Sequence, residues 1–79
     1  MSGKDIKLGM KKKVRTAAGL VNLLRDDIDC LRTDVNDFDI LCLGETIKDT
    51  KSTLQMLLDN VMEIEYLLYL FNSKDSHGL

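Results

Sequence analysis

Residues 54–71, LQMLLDNVMEIEYLLYLF, constrain this chain more than any other stretch. Thirteen of these eighteen residues are apolar, and Gln55, Asp59, Asn60, Glu63 and Glu65 are the interruptions. A helix that is apolar over most of its circumference must be enclosed. The chain has 79 residues, enough for one small domain that buries only a modest share of its surface. What covers this helix is therefore the first question the sequence poses.

Proline is absent throughout. Proline removes a helix donor and punctuates loops and sheet edges, so its absence favours long uninterrupted helices. Upstream of the apolar stretch, Val14, Ala17, Val21, Leu24, Ile28, Leu31, Val35, Phe38 and Cys42 follow alternating steps of three and four. That is the seam of a heptad repeat. A second series starts at Ile47 and continues through Thr50, Leu54, Leu57, Val61, Ile64, Leu68 and Phe71. The step from Cys42 to Ile47 fits neither three nor four, and Gly44 lies inside it. Glycine just past a periodic run accepts the left-handed conformation that ends helices. Thr46, with Asp49 three residues on, resembles a capping box.

These features predict an all-α fold. Two long helices, about 11–43 and 46–72, form an antiparallel helical hairpin that assembles into a four-helix bundle or coiled-coil complex. The alternative is one long continuous helix in a coiled coil, since a mid-helix glycine costs only about 1 kcal/mol. Residues 1–10, with Gly3 and Gly9 and no sustained period, read as a flexible basic arm. Residues 11–72 are the helical domain and 73–79 a polar tail.

A hairpin buries one stripe per helix. The two series leave Leu20, Leu23, Ile40, Leu41 and Leu43 unaccounted for on the first helix, and Met56, Leu58, Met62, Tyr66, Leu67, Tyr69 and Leu70 on the second. Contiguous apolar patches of this kind mark interfaces. The expected interface comprises Val21, Leu24, Ile28, Leu31, Val35 and Phe38, together with Leu54, Leu57, Leu58, Val61, Ile64, Leu67, Leu68 and Phe71. The partner is the chain itself, as a homodimer or higher oligomer, or other helical coiled-coil subunits. A hairpin of this size resembles small subunits of coiled-coil assemblies, such as kinetochore and organelle-tethering complexes and bacterial or phage regulatory bundles. The likeness is one of shape and assigns no residue a role.

Little in the sequence suggests chemistry. His77, the single histidine, lies in the polar tail without an orienting partner. Cys30 and Cys42 lie outside any zinc-ligand spacing. Cys42 falls on the expected seam and reads as a small core residue, whereas Cys30 lies off it. Asp34, Asn36 and Glu45 match positions one, three and twelve of a calcium loop, but Phe38 and Asp39 occupy places that need a ligand and a glycine. No phosphate loop, dinucleotide fingerprint or nucleophile elbow is present. A non-enzymatic module without a cofactor is expected. With two cysteines and no signal-peptide pattern, the expected location is intracellular, cytoplasmic or nuclear.

The net charge of −2 conceals a split. Residues 1–15 carry six basic side chains against Asp5 alone, and the remainder carries five basic and twelve acidic. Lys11, Lys12, Lys13 and Arg15 form a loose polyanion-binding cluster. The alternative function is therefore a dimeric nucleic-acid-associated regulator that uses this basic arm.

Overall fold

The computed structural model describes the backbone of residues 2–77 and the side chains of residues 2–73. Two helices, α1 (Gly3–Asp37) and α2 (Ile40–His77), account for nearly all of it. They form a helical hairpin: Gly3 lies against Phe71 and Gly9 against Leu67, while Asp34 bonds Thr46 beside the turn. The result is a rod 60 × 15 × 14 Å. Among the described residues, no helix is long and apolar enough to cross a membrane.

Helix α1 starts earlier than the sequence suggests. Ser2 caps it, its Oγ accepting the amide hydrogen of Asp5 at 3.1 Å, and satisfies one donor that the first turn would leave orphaned. The stretch 1–10, expected as a flexible arm, instead forms the first turns of α1 from Gly3 onward. Ile6 anchors them, 2 % exposed and the only fully buried apolar side chain among the described residues. At the other end, α2 continues to His77, through most of the expected polar tail.

The turn also departs from expectation. Helix α1 ends at Asp37, not near residue 43. Phe38 takes the left-handed conformation (φ 57°, ψ 36°). Its amide donates to the Val35 carbonyl at 3.2 Å, and the Asp39 amide to that of Asp34 at 3.0 Å. Those two bonds define a Schellman stop. Asp39 then caps α2, its Oδ1 accepting the Cys42 amide hydrogen at 3.2 Å. Gly44 is an exposed residue inside α2, with open space where a Cβ would stand. The physical reason lies in the lengths. A turn at 38–39 gives helices of 35 and 38 residues, so each turn of α1 has a turn of α2 beside it. A turn at Gly44 would leave the first ten residues, Ile6 included, with no helix to pack on.

Cys42, expected on the seam, sits exposed in the first turn of α2. A hydrogen bond with the Cys42 side chain, more than the one from its amide, holds the Asp39 carboxyl below the ordinary aspartate range. The same contact and the negative charge of Asp39 push the Cys42 thiol up.

The turn makes opposite predictions at two positions. Phe38→Gly removes a left-handed strain of about 1 kcal/mol, and Gly44→Ala gains about 1 kcal/mol of helix propensity. Both substitutions raise the urea midpoint; a hairpin turning at Gly44 would lose stability from each. The Asp39 cap predicts a pH dependence. With its folded pKa depressed, its contribution is complete above the unfolded value and is lost as pH falls through the folded one. The stability difference between wild type and Asp39→Asn, read from urea midpoints, accordingly shifts against the wild type on acidification through that range.

Candidate functional site: an uncovered apolar face

Two inner columns on each helix meet across the hairpin. On α1 they are Gly3, Ile6, Met10, Lys13, Ala17, Leu20, Leu24, Asp27, Leu31 and Asp34. On α2 they are Leu43, Thr46, Thr50, Thr53, Leu57, Asn60, Ile64, Leu67 and Phe71. Every one of these residues is buried or half-buried, and the steps alternate between three and four throughout, as heptad packing requires.

This inner seam is unusually polar. Thr46 donates its hydroxyl to Asp34 at 2.6 Å, and Thr53 donates to Asp27 at 2.9 Å. Asn60, 7 % exposed, donates its amide to the Lys13 carbonyl at 2.7 Å. Lys13 forms an ion pair with Glu63. Both partners of that pair are partly exposed, so it stabilises little. Among the described residues, no buried side-chain polar atom lacks a partner. The polar layers are therefore tolerable, and they fix register because sliding α2 by one turn would orphan them.

A further set of aliphatic residues stands outside the seam. Val14, Val21, Ile28 and Val35 recur every seven residues on α1, each four beyond an inner residue. Ile47, Leu54, Val61 and Leu68 do the same on α2, and Ile40 extends their step of seven to the start of the helix. All nine are exposed. In a hairpin the chain reverses, so equal offsets on the two helices lead to the same side of the molecule. The groove on the opposite side is lined by Lys13, Thr16, Leu20, Met56, Asp59, Asn60 and Glu63, which carry the other offset. The two outer columns thus form one face that runs about 40 Å along the rod. Val21, Leu24 and Ile28 line a shallow apolar groove on it, with Arg25 and Asp29 at its edge.

Of the interface residues expected from sequence, Leu24, Leu31, Leu57, Ile64, Leu67 and Phe71 are half-buried in the hairpin's own seam. Val21, Ile28, Val35, Phe38, Leu54, Leu58, Val61 and Leu68 are exposed. Val14, Ile40 and Ile47 join the face although the expected interface omits them; the signal that finds them is the step of seven shared with their neighbours. The basic cluster is divided. Lys11 and Arg15 line a groove with Lys7, Met10, Val14 and Ala18. Lys13 turns into the seam, and Lys12 does not line the groove.

Among the described residues no three metal-capable side chains gather. Asp34, considered above for a calcium loop, is engaged by Thr46. Cys30 and Cys42 are both free and exposed. The side chain of His77 lies outside the described ones. In comparisons with family models, curated proteins and solved structures, nothing matches this chain.

Asn60→Leu tests the role of the polar layers. Replacing a buried polar side chain in a heptad seam with leucine relaxes register while stabilising packing. The variant has a higher thermal midpoint, by about 1 kcal/mol equivalent, and a mixture of oligomeric species by size-exclusion chromatography where wild type shows one.

Proposed function

We propose that this protein is a non-enzymatic assembly module: an antiparallel helical hairpin whose uncovered aliphatic face docks against helices of another polypeptide to complete a four-helix bundle. The observation that carries the reading is the placement of the aliphatic columns. The internal seam mixes apolar side chains with polar and small ones such as Asp27, Asp34, Thr46, Thr53 and Asn60, while Val14, Val21, Ile28, Val35, Leu54, Val61 and Leu68 stay exposed. A lone hairpin arranged this way has almost no dry core, and small domains of this length depend on such a core or on a partner. Covering the remaining half of one such side chain contributes about 1 kcal/mol, and a full row of them is enough to offset the cost of association.

The spacing also defines the partner. Side chains at seven-residue intervals along a rod are knobs for a helix with the same repeat, not for a sheet or an irregular loop. The nucleic-acid alternative draws on Lys7, Lys11 and Arg15 around one groove. These cations border the apolar face and enclose Met10 and Val14, which suits the charged rim of a protein interface better than a phosphate track.

The test is the native mass of the chain in cells that express it. Size-exclusion chromatography with multi-angle scattering on a gentle lysate places wild type in a complex well above 9.0 kDa. Leu54→Asp with Leu68→Asp, both at already exposed positions, releases it to the monomer. A folded wild-type monomer in those cells overturns the reading.

A further inference from the structure

We infer that the occupant of the aliphatic face is a second copy of this chain, laid head to tail so that the basic end of each hairpin lies beside the acidic end of the other. This inference rests on the assembly reading above and adds the identity and direction of the partner.

Three observations carry it. The first is self-complementarity. The face presents two parallel rows at heptad spacing on two helices of nearly equal length, which is the surface that a four-helix bundle requires of each half. A copy of the chain supplies a matching face of the same length. The second is area. At 1.5 Å per residue the rows run about 30 Å on α1 and about 40 Å on α2, so with the 15 Å width of the rod the face covers about 600 Å², the lower end of the range for each partner of a stable interface.

The third is charge. The rod is electrically polar along its length. Residues 3–15 with the adjoining 60–73 carry six basic and three acidic side chains, whereas residues 26–51, around the turn, carry eight acidic and three basic. Two copies pointing the same way would place like ends together; two copies pointing opposite ways pair unlike ends. A two-fold axis that brings the same faces together and reverses the rods sets α1 over the partner's α1. Val21, near the middle of α1, then meets its own counterpart, and Val14 meets Ile28.

The experiment uses the full chain, produced alone. Sedimentation equilibrium at tens of micromolar gives a dimer, and its dissociation constant rises at least tenfold between low and high salt. Direction is read with a nitroxide label on Asn36→Cys, after Cys30→Ser and Cys42→Ser. Asn36 is exposed on α1 and lies off the face. At a rise of 1.5 Å per residue, head-to-tail copies hold their labels about 45 Å apart, and copies pointing the same way hold them within about 25 Å. Val21→Glu with Ile28→Glu abolishes the dimer while circular dichroism remains helical. Leu23→Glu, exposed but not part of either row, leaves the dimer intact.

A helical monomer, an assembly larger than two, a short label distance, a dimer unaffected by salt, or a dimer that survives the double glutamate variant overturns the inference. A chain that is monomeric alone yet part of a large complex in its cells sinks the second copy and leaves the assembly module standing.

Discussion

Two aspartate–threonine bonds between the helices, Asp34 with Thr46 and Asp27 with Thr53, set the register on which the rest of the molecule depends. Each joins residues whose places along the two helices are fixed by the turn at Phe38. Together with Asn60 on the Lys13 carbonyl they form a ladder of polar contacts at spaced levels. A purely aliphatic seam can slip by a turn at little cost, whereas a seam that buries a polar side chain such as Asn60 cannot slip without parting it from its partner. The hairpin thus obtains its alignment from groups that add little net stability.

That choice has a consequence for the outer surface. Heptad geometry offers a few columns per helix, and polar groups fill part of the inner pair. The aliphatic residues at the next offset are displaced to one side, and reversal of the chain collects them from both helices into a single face. A specific internal alignment and a wide apolar exterior are thus two results of one arrangement. The hairpin is aligned by its own polar ladder, while its outer aliphatic columns stay exposed.

The sequence legibly announced an all-helical chain: no proline, heptad steps through most of its length, and an apolar content that one hairpin could not absorb. It misdirected at the turn. Gly44 carries the common stop signal, while the real stop places a phenylalanine in the left-handed region and relies on Asp39 to begin the next helix. Local preference for glycine amounts to about 1 kcal/mol, less than what is gained by pairing two helices of matched length. Residues 1–10 were illegible for the same reason. Two glycines and several lysines suggest a loose arm, but Ile6 has somewhere to pack once the turn lies at 38–39.

The candidate face was half legible. The period of three and four on α1 runs along the border between inside and outside, so Leu24 and Leu31 turn inward while Val21, Ile28 and Val35 turn outward. What the sequence alone determined is the helical period, the excess of hydrocarbon and the split of charge between the two ends, because these are properties of residue order. Only the tertiary structure decided which column each helix turns toward the other. Charged residues such as Asp27, Asp34 and Lys13 look unfit for a seam until the partners that satisfy them are brought alongside from residues 12 to 50 positions away, and that proximity exists only after the chain has folded back.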